Sequence, residues 1–115
     1  NWTYVDDIVS GTIAAAEHIN DGTSINLGTM ERIKVKDCAQ QVIDTLNPGA
    51  SIKLLTDKPT GPLNRVASNA LAQQLLGWSP QTKFTDGLQK TIDWYVSSKT
   101  TEQASADLTR KLVGR

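Results

Sequence analysis

A chain of 115 residues with 38% hydrophobic content is the size of one small domain, long enough to close a modest core without metals or disulfides. Its 12 basic and 12 acidic side chains cancel, which excludes a global electrostatic attraction to nucleic acid or to an anionic membrane. The single cysteine cannot form an internal disulfide, and no apolar run approaches the roughly 20 residues of a membrane span. These features predict a cytoplasmic protein.

The amino-terminal third predicts one helix and two short strands. Apolar residues over 5–19 recur at the spacing of one helix face, and Asp6 and Asp7 are placed to favour the helix amino terminus. After a turn at 21–22, residues 24–27 are a first short strand candidate, and the alternation of apolar residues with lysines at 33–35 predicts a second extended piece.

The middle of the chain predicts a helix, a strand and a loop. From residue 37 to residue 46 the apolar period becomes helical, and the Asn-Pro-Gly sequence at 47–49 stops that helix. The segment 52–56, with Leu54 and Leu55 inside it, is the third strand candidate. Two prolines and a glycine then predict a loop over 57–64.

Two further helices are predicted beyond that loop. Ser68 or Asn69 can cap a short helix that ends at Gly77, because a hydroxyl or amide oxygen accepts a helix-end N–H and glycine tolerates the terminating conformation. Thr85 is predicted to cap a longer helix whose apolar face reaches Val96.

The predicted fold is a small mixed α/β domain of three or four short strands packed with about four helices. Residues 1–98 form this domain. Residues 99–115 are rich in polar side chains and are predicted to be a weakly helical or flexible tail.

Catalytic and metal-binding constellations are not found in the pattern. The only histidine, His18, is predicted at a helix end, so a His-dependent nucleophile or a multi-His metal site cannot be assembled. The glycines are isolated, which argues against dinucleotide binding by this chain. Tyr95 precedes Lys99 by four positions, but Tyr95 belongs to an apolar helix face, so we predict no catalytic residue and no metal ligand.

Arg65 is the charge that points most directly to a ligand. It lies between a loop and a predicted helix amino terminus, where a guanidinium and free backbone amides can converge on an anion. A solvated or salt-bridged arginine is the alternative. Trp2 and Tyr4 can offer flat faces to a base or sugar, with a place in the core as the alternative.

Four stretches, in order, resemble the extended short-chain dehydrogenase/reductases of the nucleotide-sugar epimerase/dehydratase type. Residues 1–8 are similar to the family's Arg-x-aromatic-x-Tyr-Val-Asp-Asp segment, and 25–28 to its Tyr-Asn-Leu-Gly strand. Residues 65–80 are similar to its Arg-x-x-Asp helix and Leu-Gly-Trp-x-Pro exit, and 84–95 to its closing Gly-Leu and Ile-x-Trp-Tyr helix.

The resemblance implies binding roles for particular residues. It implies that Arg65 binds the pyrophosphate of a nucleotide sugar. The presence of Asn69 makes the chain more similar to the GDP-mannose epimerase branch of the family. We therefore predict Arg65, Asn69, Trp2 and Tyr4 as substrate-binding residues. The chain departs from the family in two ways, because Ser68 replaces the aspartate of the Arg-x-x-Asp unit and the family's other phosphate-binding arginine falls one position before Asn1.

The implied function is that of the substrate-binding lobe of a nucleotide-sugar epimerase or dehydratase. In the family, NAD(P) and a Tyr-x-x-x-Lys pair belong to an amino-terminal Rossmann domain, so this chain alone is expected to bind no cofactor and to be inactive. Its expected partners are a nucleotide-diphosphate sugar and either that domain or a second copy of itself. The alternative is a stand-alone, non-catalytic binding or oligomerisation module derived from the same lobe.

Overall fold

The computed structural model describes residues 2–59, 61–62 and 64–113. Over these residues the chain forms five helices, α1 (Val5–His18), α2 (Val35–Leu46), α3 (Ala70–Leu76), α4 (Phe84–Ser98) and α5 (Thr101–Val113). None of the described ranges contains a β-strand, so the predicted mixed α/β domain is wrong. The helix α5 lies in the segment for which the sequence predicts a weak helix or a tail.

The predicted strands at 24–27 and 52–56 are irregular connections, and Val35 is the first residue of α2 instead of the end of a strand. A strand needs the backbone of a neighbouring strand about 4.8 Å away. Around Gly28 and Thr29, side chains take that place. The Gly28 carbonyl accepts from the Asn69 amide, and the Thr29 N–H donates to Thr3 Oγ1 at 3.2 Å. The sequence pattern at 24–27 is compatible with these side-chain contacts as well as with a sheet.

The helical periodicity is confirmed where it extends over two turns or more. α1 covers the predicted segment to within one residue, and α2 ends at Leu46, directly before the Asn-Pro-Gly stop. α3 ends where Gly77 adopts the left-handed conformation with φ +61°, which a side chain would make costly.

The start of α4 differs from the prediction. Lys83 occupies the N-cap position and makes no side-chain cap, while Thr85 lies inside the first turn, so the predicted Thr85 cap is wrong. Glu31 takes over part of that role, because its Oε2 accepts the Phe84 N–H at 2.7 Å. A carboxylate at a helix amino terminus satisfies an otherwise unpaired donor and complements the helix dipole.

α1 packs against α3 through small residues and one tryptophan. Gly11 is buried on the inner side of α1, and Ala72 of α3 is fully buried. A Cβ atom at Gly11 would lie 2.7 Å from Leu27 Cδ2 and 2.9 Å from Trp78 Nε1. The close approach of Leu27 and Trp78 to the α1 backbone therefore depends on glycine.

A buried carboxylate joins α1 to the segment that follows α3. Asp7 is only 5% exposed, and its two carboxylate oxygens accept the backbone N–H groups of Gln81 at 3.2 Å and Thr82 at 3.0 Å. The Trp78 indole N–H donates to the Asp7 carbonyl and to Ser10 Oγ. We call this set of contacts the Asp7 junction. A buried charge is tolerated here because it is hydrogen-bonded.

The chain is more open than a self-contained domain. Its Cα radius of gyration is 17.4 Å, against about 13 Å for a compact domain of this length. Its accessible surface is 9021 Å², against about 6,200 Å² for a folded protein of 12.5 kDa. Much apolar surface is therefore left uncovered by the chain itself.

We expect Asp7→Asn to lower the free energy of unfolding by about 1–3 kcal/mol, because the amide keeps one acceptor oxygen and one buried N–H loses its partner. Urea unfolding followed by circular dichroism measures the change. Asp6→Asn, at an exposed position in the same turn, is the matched control and should change stability by less than about 0.5 kcal/mol. Equal effects of the two variants would contradict a structural role for the junction.

We expect Gly11→Ala to destabilise the fold by about 1 kcal/mol or more, because the overpacking against Trp78 exceeds the helix-propensity gain of alanine over glycine. Gly49→Ala is the control, since its Cβ would meet nothing nearer than Asn47 Oδ1 at 3.7 Å. Thermal unfolding of both variants tests this expectation, and a Gly11→Ala protein more stable than the parent would contradict the packing described here.

Candidate functional site

Two buried residues, Gly28 and Thr29, connect segments that are distant in the sequence. The Thr29 hydroxyl donates to the Trp2 carbonyl at 2.7 Å, and the Thr29 N–H donates to Thr3 Oγ1. On the other side, the Asn69 side-chain amide donates to the Gly28 carbonyl. We call these five residues the joining cluster. It brings Trp2 and Asn69, both predicted site residues, to opposite sides of one dipeptide.

Asn69 occupies the N-cap position of α3 without a side-chain cap, and its amide nitrogen donates to the Gly28 carbonyl. Its Oδ1 is buried and accepts no hydrogen bond from the described part of the chain. Ser68 Oγ, one residue before the N-cap, accepts the Ala70 N–H at 3.4 Å. The joining cluster therefore contains one buried acceptor oxygen that is closed to solvent.

Arg65 lies in the connection that precedes α3, four residues before Asn69, and its side chain is exposed. The predicted helix amino terminus beside it belongs to α3, a helix of 7 residues. A guanidinium at such a position can approach an anion from solvent and bind two of its oxygens. The substrate-binding role of Arg65 remains a prediction.

The predicted aromatic residues line a groove between the amino-terminal segment and α4. This groove has a volume of about 530 Å³ and is bordered by Trp2, Tyr4, Phe84, Leu88 and Trp94. The Trp2 and Phe84 ring centroids are 6.1 Å apart with the planes tilted by 56°. We call it the aromatic groove. Arg65 and Asn69 are not among the residues that line it.

Tyr4 has a packing role in this groove as well as an open face. A Cβ atom at Gly87 would come within 3.1 Å of Tyr4 Cβ, so Tyr4 packs directly on the α4 backbone. Lys90 Nζ lies 5.1 Å from the Tyr4 ring centroid, a cation–π distance. Cys38 also borders the groove, and desolvation raises the pKa of its thiol. A raised pKa favours the unreactive thiol form.

Tyr95 and Lys99 make structural contacts near the end of α4. Lys99 Nζ forms an ion pair with Asp107 of α5, which raises the pKa of Lys99, and lies 5.8 Å from the Tyr95 ring centroid. Arg110 contacts the same carboxylate at 3.0 Å. These contacts tie the middle of α5 to the residue that follows α4.

Pattern reasoning missed Gly28, Thr29 and Glu31 as organising residues. Their partners lie 26 to 53 residues away in the sequence, and a threonine after a Leu-Gly pair carries no periodic signal. Among the described residues, no group of three His, Cys, Asp or Glu side chains is arranged to hold a metal ion. The described helices include none with the length and apolar character that a membrane crossing requires.

Comparison with known proteins shows which protein family the chain resembles. No protein-family model matches the chain. UDP-glucuronic acid decarboxylase 3 of Arabidopsis thaliana is 33% identical over 88 residues, which cover 76% of this chain and 25% of that protein. Probable GDP-L-fucose synthase 1 of Oryza sativa subsp. japonica is 24% identical over 97 residues, which cover 84% of this chain and 29% of that protein.

A solved structure agrees with these matches. A mutant of UDP-glucuronic acid 4-epimerase from Bacillus cereus, in complex with UDP-4-deoxy-4-fluoro-glucuronic acid and NAD, superposes with a TM-score of 0.72 and 29% identity. The match covers 84% of this chain and 32% of that one. The chain thus spans only about a quarter to a third of the length of these relatives. The resemblance is confirmed: the chain belongs to the extended short-chain dehydrogenase/reductases of the nucleotide-sugar epimerase/dehydratase type and corresponds to their carboxy-terminal part.

Proposed function

We propose that this chain holds the nucleotide diphosphate of a nucleotide sugar and positions the hexose for chemistry that is carried out by a separate cofactor-binding lobe. The observation that supports this most is the joining cluster, in which Gly28 and Thr29 hold the segment around Trp2 next to the segment that ends in Asn69. Positioning of this kind accelerates a reaction by lowering the entropic part of its barrier.

The charge for the diphosphate comes from Arg65. The Asn69 contact with Gly28 anchors the end of the 64–69 connection, so Arg65 projects from a segment that is held in place four residues away. Asn69 contributes to the proposed site by holding this segment through its amide N–H, because its Oδ1 is buried away from solvent. The aromatic groove, bordered by Trp2 and Tyr4, offers ring faces to a base or sugar.

The substrate class follows from the relatives. Their names specify UDP-glucuronic acid and GDP-L-fucose, and the solved relative contains a UDP-sugar together with NAD. The proposed ligand is therefore a nucleoside-diphosphate sugar with either a uridine or a guanosine base. Its proposed compartment is the cytoplasm.

The proposal assigns no redox step to the described residues. A dinucleotide site needs a glycine-rich turn between a strand and a helix, and the described ranges contain no strand. The resemblance implies that the family's Tyr-x-x-x-Lys pair lies in the cofactor-binding lobe, and Lys99 of this chain is paired with Asp107. We therefore propose that this chain alone is inactive.

The alternative, a non-catalytic oligomerisation module, is supported by a different observation. The accessible surface of 9021 Å² exceeds the value of about 6,200 Å² for a self-contained chain of this mass, and the exposed side chains include Val5, Val9 and Ile13 of α1. Uncovered apolar surface of this kind favours association with another protein.

We expect Arg65→Ala to weaken the binding of a UDP-sugar or GDP-sugar by about 10-fold or more, because a hydrogen bond to a charged group contributes about 1.5–3 kcal/mol. Isothermal titration calorimetry measures the dissociation constants. Arg32→Ala, which removes another exposed arginine, should leave the affinity unchanged. The role of Arg65 would be refuted by equal affinities for Arg65→Ala and the parent chain.

We expect NAD to produce no binding heat with this chain, whereas a nucleotide sugar does. Parallel titrations with NAD and with UDP-glucuronic acid make the comparison within one sample preparation. Both ligands carry a pyrophosphate, so selective binding of the sugar nucleotide shows recognition beyond simple charge attraction. Binding of NAD in the same affinity range would contradict a site specialised for the substrate.

A further inference from the structure

One short segment, from Gly28 to Glu31, is hydrogen-bonded to three distant parts of the chain. Gly28 and Thr29 form the contacts of the joining cluster. Two residues further on, Glu31 Oε2 accepts the backbone N–H of Phe84, the first residue of α4, at 2.7 Å. We call residues 28–31 the bridging segment. It connects the residue before α3, the amino-terminal segment and the start of α4.

The bridging segment holds two aromatic residues that border the aromatic groove, Trp2 and Phe84. The Thr29 hydroxyl donates to the Trp2 carbonyl at 2.7 Å, and the Glu31 carboxylate holds the Phe84 N–H. The centroids of the two rings are 6.1 Å apart. Because Thr29 and Glu31 are only two positions apart in the sequence, the bridging segment sets the separation of these rings.

The same segment also reaches the arginine side of the proposed site. The Gly28 carbonyl accepts from the Asn69 amide, and Asn69 ends the connection that carries Arg65. Arg65 does not line the aromatic groove, so a ligand that contacts both must extend from one to the other. The position of the groove relative to Arg65 therefore depends on the bridging segment.

We propose that Glu31 is a positioning residue of this site, which sets the aromatic groove at the distance from Arg65 that a whole nucleotide sugar requires. The inference rests on the proposed function, in which Arg65 binds the diphosphate and the groove takes the base or the sugar. A ligand that uses Arg65 alone does not need Glu31. A ligand that uses both sides binds only those molecules in which α4 begins at the observed position.

The contact made by Glu31 is suited to this role because it is strong and local. A carboxylate that accepts the first N–H of a helix makes a charge-assisted hydrogen bond and complements the helix dipole. α4 stays attached without this contact, because Tyr4 packs on Gly87 about one turn further along. Loss of the Glu31 carboxylate therefore frees the first turn of α4 and leaves the helix folded.

Isothermal titration calorimetry of Glu31→Ala with UDP-glucuronic acid, GDP-L-fucose and inorganic pyrophosphate tests the proposal. We expect the variant to bind the nucleotide sugar that the parent chain binds about 5-fold or more weakly, because loss of a helix-end contact lowers the binding-competent fraction. Its affinity for pyrophosphate should equal that of the parent chain, since pyrophosphate needs only the Arg65 side. Glu31→Gln should restore most of the affinity, because an amide oxygen also accepts an N–H.

Glu17→Ala is the matched control, because Glu17 is an exposed glutamate of α1, outside the bridging segment, and its replacement should leave every affinity unchanged. Circular dichroism verifies that each variant keeps its helices.

The inference alone is overturned if Glu31→Ala binds the nucleotide sugar as tightly as the parent chain. It is also overturned if the variant loses affinity for pyrophosphate to the same extent, since that indicates a general loosening, or if the parent chain binds a nucleotide sugar and no pyrophosphate. A parent chain that binds neither nucleotide sugar would overturn the proposed function, and this inference with it.

Discussion

A single buried carboxylate sets the arrangement of this protein. The Asp7 carboxylate accepts hydrogen bonds from the backbone N–H groups of Gln81 and Thr82. The Trp78 indole N–H donates a hydrogen bond to the Asp7 carbonyl. Removing an aspartate from water is costly unless several donors surround it, and here two donors come from consecutive backbone N–H groups. The first turn of α1 is thereby fixed to the segment between α3 and α4, more than 70 residues away in the sequence.

The rest of the fold follows from that attachment. With Asp7 and Gly11 pointing inward, Leu27 and Trp78 pack against the α1 backbone and the connection after Leu27 is brought beneath the amino terminus. Thr29 can then form a hydrogen bond with Trp2 on one side, and Gly28 can form one with Asn69 on the other. The same attachment turns the apolar side of α1 outward. The proposed ligand site thus depends on this polar contact.

The local signals predicted helices well and tertiary contacts poorly. Helical periodicity over several turns, the stop at 47–49 and Gly77 depend on neighbouring residues, so they could be read directly. The strand predictions were wrong because a short stretch with isoleucine and leucine among polar residues has the same pattern whether it meets another strand or, as around Gly28, a side-chain amide. The first-turn placement of Asp7 was visible, but its burial depends on a partner far along the chain.

The candidate site was predictable only in part and through resemblance. Trp2 and Tyr4 lie together at the aromatic groove, and Trp2 and Asn69 meet through Gly28 and Thr29, while Arg65 stands outside the groove. The division into a domain at 1–98 and a tail at 99–115 stays a prediction. Thr29 carried no signal that a single sequence can provide, because its importance lies in two hydrogen bonds to distant residues.

The most direct test of a nucleotide-sugar lobe is an amide NMR titration of this chain with UDP-glucuronic acid, with a GDP-sugar in a parallel sample. The account predicts that saturable shift changes concentrate at Gly28, Thr29 and the 64–69 connection, together with the Trp2 indole. Shift changes confined to α4 and α5, or none for either sugar nucleotide, would contradict it.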